Sequence, residues 1–120
     1  MASDTSGGSA MSNFSDFVNA VVDGAGDLAR TSFAGFVNQA QQDARALLTT
    51  SEDNIKTWAK ELAAGDLREA EFKGLLQGEA DLWQLAALTR TGIAAAELQR
   101  FRDRLVDLVF DSVFGKLLKV

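Results

Sequence analysis

IAAAELQRFRDRLVDLVFDSVFGKLLKV, residues 93–120, is the stretch that decides the fold class. Ala94, Leu98, Phe101, Leu105 and Leu108 recur at spacings of four, three, four and three, the period of a helix with one apolar seam. A helix is expected from Ile93 to about Phe114. From Leu105 onward the apolar positions outgrow a single seam. Leu105, Val106, Leu108, Val109, Phe110, Val113, Phe114, Leu117, Leu118 and Val120 surround most of the perimeter. The polar positions narrow to a strip built on Asp103, Asp107 and Asp111, each four apart. Burying one such apolar side chain contributes roughly 1.5–3 kcal/mol. A second face of this size therefore has to be covered, either by the rest of the chain or by another molecule.

Upstream, Gly92 reads as the C-cap of a helix over residues 79–91, with Leu82, Trp83, Leu85, Ala86 and Leu88 apolar. The two segments are expected to pair as an antiparallel helical hairpin. Before them, Gly65 ends an element, and Asp66 with Glu69 has the spacing of an N-cap and capping box. That helix carries Leu67, Ala70, Phe72, Leu75 and Leu76, with a turn expected at Gln77-Gly78. Ala70, Gly74 and Gly78 lie four apart and would share a face open to close backbone approach.

Residues 27–48 show the clearest helical period, through Phe33, Phe36, Val37, Ala40, Ala44, Leu47 and Leu48. Asn38, Gln41, Gln42, Asp43 and Arg45 fall on the opposite face. Thr49-Thr50-Ser51 weakens the run, yet Ser51, Ile55, Trp58, Ala59 and Leu62 keep the stripe. Residues 27–64 thus read as one kinked helix, with two helices as the alternative. A short helix over 12–23 presents Phe14, Phe17, Val18, Val21 and Val22, and Gly24-Ala25-Gly26 marks a turn or hinge. Phe14-Ser-Asp-Phe17-Val18-Asn19 is echoed nineteen residues later by Phe33-Ala-Gly-Phe36-Val37-Asn38, a match too short to define a repeat array. Residues 1–11 are small, polar and rich in Gly and Ser. They suit either a native flexible arm or a non-native leader ahead of a start at Met11. The expected architecture is all-α: a bundle of about five helices in one domain over residues 12–120, closed by the C-terminal hairpin.

Composition narrows the chemistry. The 120 residues are 47% hydrophobic and 24% charged, as in an ordinary globular domain. They contain no Cys, His, Tyr or Pro. Without Cys or His there is no thiolate nucleophile, no imidazole base and none of the commonest zinc ligands. Glu69/Glu71 and Glu79/Asp81 are two apart and do not face each other on a helix. Their places near expected helix N-termini suit the dipole instead. Ser112 and Lys116 have i, i+4 spacing, but a cation near a helix C-terminus has a structural reason of its own. The glycines form no phosphate-binding loop, and no EF-hand pattern is present. No catalytic residue, metal or cofactor is therefore expected.

The net charge is −5, which disfavours nucleic acid as a partner. Residues 100–120 hold five basic and three acidic groups, leaving seven basic against fourteen acidic in residues 1–99. Arg100 and Arg104 share a face, where Asp103 and Asp107 are near enough to pair with them. An acidic body with a mildly basic last helix suits head-to-tail association as well as plain surface solvation. No run approaches the roughly 20 apolar residues that span a bilayer, and nothing reads as a signal peptide, so a cytoplasmic location is expected. Trp58 and Trp83 suit a core or an interface anchor.

These readings favour a non-enzymatic structural or adaptor role, with the chain itself or another protein as partner. The candidate interface is Leu105, Val106, Val109, Phe110, Val113, Phe114 and Leu117 on the last helix, with Phe14 and Phe17 from the first. A peripheral membrane or lipid-binding role is the alternative, against which Asp103, Asp107 and Asp111 weigh by repelling anionic headgroups.

Overall fold

Gly24 and Gly26 do not break the first helix. In the computed structural model, which describes residues 9–118 and the side chains of 14–118, helix α1 runs unbroken over Ser9–Phe33. Both glycines admit neighbours at close range. A Cβ on Gly24 would lie 2.8 Å from both terminal methyl carbons of Leu108, and one on Gly26 would lie 2.8 Å from the Gln41 amide nitrogen. The expected hinge is thus a pair of close approaches, one to the last helix and one to the second. The expected N-terminal arm, residues 1–11, lies outside the described residues except where Ser9–Met11 begin α1.

The chain turns ten residues later, inside the stretch with the clearest helical period. Ala34 and Phe36 adopt left-handed backbone, with φ of 56° and 62°. Left-handed backbone is unfavourable for a residue with a Cβ. Packing at the corner opposes that cost: Phe33 lies 5.2 Å from Phe101 and 6.4 Å from Phe36, centroid to centroid. Phe33 therefore ends one helix while Val37 begins the next, so the echo of residues 14–19 in 33–38 is not a repeated structural unit.

Helix α2, Val37–Ala64, passes through the Thr-Thr-Ser segment without interruption. The Thr49 and Thr50 hydroxyls donate to the carbonyls of Arg45 and Ala46, one turn back. Those bonds occupy side-chain groups that would otherwise compete with the helix. Gly65 ends α2 with φ 83°, and the amides of Asp66 and Leu67 both close on the Glu61 carbonyl. Helix α3 covers Glu69–Ala80, with Arg68 rather than Asp66 as its N-cap. The Glu71 carboxylate accepts from the Arg68 amide at 2.9 Å, so the capping interaction sits two residues later than the sequence spacing indicates. Gly74 and Gly78 lie within this helix, not at its end. A Cβ on either would meet nothing, so no backbone of the described chain uses the Ala70-Gly74-Gly78 face.

The helix expected over 79–91 is mostly irregular. Residues 81–85 form a turn and an irregular link, and only Ala86–Thr89 make a helical turn, α4. Helix α5 follows over Ala95–Ser112 and widens into a π-helical turn at Val113–Leu117. The expected hairpin between residues 79–91 and 93–114 does not form; α5 instead lies antiparallel to α3. Phe72 stacks on Phe110, Lys73 pairs with Asp107, and the Trp83 carbonyl meets Arg102, so rising numbers on one side face falling numbers on the other. α1 and α5 are also antiparallel, through Gly24 with Leu108 and Ser32 with Arg104. α5 thus lies between α1 and α3, α2 flanks α1, and α4 rests on α2. The result is an all-α bundle of five helices without a strand among the described residues.

Candidate functional site

Most of the apolar perimeter of the last helix is enclosed by its own chain. Leu105, Val109, Val113 and Phe17 are fully buried, and Val106 and Phe14 nearly so. These six expected interface residues belong to the core. The physical reason is the length of α1. A 25-residue helix with a glycine at the crossing lies along α5 and covers the face that the sequence leaves open. Phe110, Phe114 and Leu117 are only half-buried and remain available at the surface.

The Phe110 and Phe114 rings belong to an aromatic strip at the end of the bundle where α2, α3 and the π turn meet. Phe72 of α3 is its buried centre. Phe110 stacks on Phe72 at 5.5 Å, Phe114 meets it edge-on at 6.3 Å, and the two outer rings lie 5.0 Å apart. Trp58 of α2 closes the strip with a 6.4 Å edge contact on Phe72. Leu62 and Leu67 are half-buried on the adjoining end of α2 and the loop that follows. Offset and edge-to-face pairs of this kind stabilise beyond area burial alone. One side of the strip has a charged rim. Lys73 Nζ lies 2.8 Å from Asp107 and 5.3 Å from the centre of the Phe110 ring. Its hydrogen bond to Asp107 raises the Lys73 pKa above the ordinary lysine value, with the charges of Asp107 and then Asp111 adding to it.

Phe110 and Phe114 are the expected interface residues in this surface; Trp58, which suits core or interface from its residue type, joins them, and Leu62 and Leu67 lie outside the expected set. Trp58 and Leu62, four apart on α2, carry the only sequence signal for the second half. Leu82 is the most exposed large apolar residue, at 74%, with Leu75 and Phe36 less so. They sit singly on α3, its following turn and the α1–α2 corner.

Several of the polar groups considered for chemistry hold the fold together. Glu79 accepts from the Ser51 hydroxyl at 2.7 Å and from the Asn54 amide at 3.1 Å. Ser51, fully buried, also accepts from the Trp83 indole N–H at 3.3 Å. Trp83 is therefore a core anchor tied to α2. Asp43, expected on the outer face of its helix, is buried beneath α4. Its carboxylate accepts from the backbone N–H groups of Ala87 and Leu88 at 2.9 and 2.8 Å, capping a helical turn from another element. The arginines of α5 do not take the expected aspartate partners. Arg102 donates to the Trp83 carbonyl and to Gln99, Arg104 donates to Ser32, and Asp107 pairs with Lys73. Ser112 closes α5, and Lys116 lies in the π turn beyond it. No group of three or more acidic residues among the described residues is arranged to hold a metal ion, and no helix among them is long and apolar enough to cross a membrane.

Compared with protein-family models, with curated proteins and with solved structures, the chain matches none.

Proposed function

We propose that this protein is a non-enzymatic docking module of the cytoplasm that pairs with a second copy of itself through the aromatic strip. The observation that carries the reading is the half-exposed arc of Trp58, Phe110 and Phe114 around the buried Phe72. Aromatic residues with a buried centre and a polar margin have the make-up of an interface core. Lys73 and Asp107 give one side of the margin both signs. An isologous pair would bury the aromatic centre and leave this ion pair at its rim. Composition supports the rest: no His, Cys or Tyr is available for acid–base or nucleophilic work, and an acidic chain without cysteines suits a reducing interior.

The test is mass in solution. Sedimentation equilibrium from 1 to 100 µM should show a monomer–dimer transition. Phe114→Glu and Leu62→Glu, each at a half-exposed position, should abolish it while leaving the helical circular dichroism intact. A wild-type chain that stays monomeric across the range overturns the pairing, as does a dimer indifferent to both substitutions.

A further inference from the structure

We infer that the groove between the start of α1, the C-terminal half of α2 and the π turn binds a single-chain anionic amphiphile, with the alkyl tail inside and the acid head on Lys60 and Lys56. This site is separate from the aromatic strip. Ala59, Lys60 and Ala63 turn away from Trp58 on α2, as the 3.6-residue period requires, and none of the groove's described lining residues makes a ring contact with Phe72. Phe14 forms one wall, Ala59 and Ala63 the floor, and Leu117 with Leu118 the other wall. The space is about 350 Å³, at the small end of the roughly 300–1,000 Å³ typical of small-molecule pockets.

Three features select the ligand class. The floor is alanine at i and i+4, which leaves a channel along α2 where longer side chains would fill it. The wall opposite Phe14 exists because the backbone widens into a π turn, bringing Leu117 and Leu118 to the groove; such turns recur at functional sites. Among the described residues the charged groups that line it are Lys56 and Lys60. Lys56 is held in place by Glu52 at 2.6 Å and lies 5.0 Å above the Phe14 ring, while Lys60 is exposed on the next turn. In a chain of net charge −5, an apolar channel whose described charged lining is two lysines, one of them paired with Glu52, selects for a carboxylate, sulfate or phosphate head on a hydrocarbon tail, with Lys60 as its chief partner.

The experiment is calorimetric titration of the full chain with octanoate, decanoate and dodecanoate below their micellar concentrations. Dodecyltrimethylammonium provides the same tail with the opposite head. Binding at one site per chain is expected. Affinity should rise about fourfold per added methylene until the groove is full. The cation should bind at least tenfold more weakly than dodecanoate. Ala63→Trp fills the channel from an exposed helical position and should abolish binding, and Lys60→Glu should remove the preference for the acid. Retained helical circular dichroism would show that either loss is local. The inference is overturned by equal binding of the two heads, by binding that survives Ala63→Trp, or by no binding of dodecanoate. Attachment to vesicles of phosphatidylglycerol without binding of the free acid would overturn it too, because a membrane surface would then be the partner.

Discussion

Replacing Asp43 tests whether one side chain of α2 holds the segment between α3 and α5 in place. Its carboxylate is 6% exposed and accepts two backbone N–H groups at the first turn of α4. Hydrogen bonds to a charged group contribute about 1.5–3 kcal/mol each, so Asp43→Ala removes roughly 3–6 kcal/mol of gross interaction. Two effects reduce the net loss. The variant no longer bears the cost of burying a carboxylate. The four-residue turn can also open locally and return its N–H groups to water without unfolding the bundle. A net loss of about 3 kcal/mol is expected, a large share of the roughly 5–15 kcal/mol that stabilises a domain. Asp43→Asn keeps an acceptor for one N–H but turns an amide donor toward the other, and should lose about 2 kcal/mol. Urea denaturation followed by tryptophan fluorescence reads the global term, with Trp83 at the edge of the affected segment. Amide exchange at Ala87 and Leu88 reads the local one, and both should lose protection before the core of α5. A Asp43→Ala variant within about 0.5 kcal/mol of the parent, with both amides still protected, would refute the capping role.

Ser51→Ala removes the acceptor of the Trp83 indole and one donor to Glu79, and should cost about 1–2 kcal/mol with a changed Trp83 emission. The glycines should divide by helix: Gly74→Ala and Gly78→Ala meet open space in α3 and should each raise stability by roughly 0.5–1 kcal/mol in the same urea assay. Gly24→Leu, by contrast, drives a side chain into Leu108 and should destabilise by at least about 1–3 kcal/mol. The raised pKa of Lys73 sets the sign of a pH effect: its pairing with Asp107 stabilises fully below the ordinary lysine value of 10.5 and is lost as pH rises through the higher folded value. The difference in urea midpoint between the parent and Lys73→Met should therefore persist from neutral pH to about pH 10 and shrink above it. Both partners are well exposed, so 1 M salt should shrink it as well.

Helical periodicity carried the fold class because it depends only on local spacing. The stripe through Ser51, Ile55 and Ala59 correctly bridges the weak Thr-Thr-Ser segment, and Gly65 ends α2 as its position indicates. Residues 79–91 were misread because their apolar residues serve a link rather than a helix. Trp83 reaches back to Ser51, and Leu85 is buried while its φ is 44°. The contacts that stabilise these shapes come from partners dozens of residues away. Asp43 is the sharpest case: on α2 alone it looks like a solvated acid, and only the return of the chain 44 residues later supplies its two donors. In the candidate site, Phe110 and Phe114 are legible as surplus on their own helix. Trp58 is not, because its exposure depends on where α3 stops covering α2.

The two glycines bear on the shelter of the last helix. A turn at Gly24–Gly26 would shorten the first helix and leave part of α5 uncovered. The same glycines, read as close approaches, extend α1 along α5 and bring Leu108 into contact with its backbone. α1 also packs on the π turn, which leaves Phe114, Leu117 and Leu118 half-buried. The surface left for partners is therefore confined to one end of the bundle. It is fixed by the length of α1 and the start of the π turn, two features set by backbone packing rather than by the count of apolar residues on α5. Deleting a residue from α1 between Phe17 and Gly24 would rotate the covering face by about 100° and strip shelter from Val109 and Val113. The chain should then aggregate through the length of α5, not pair at its end.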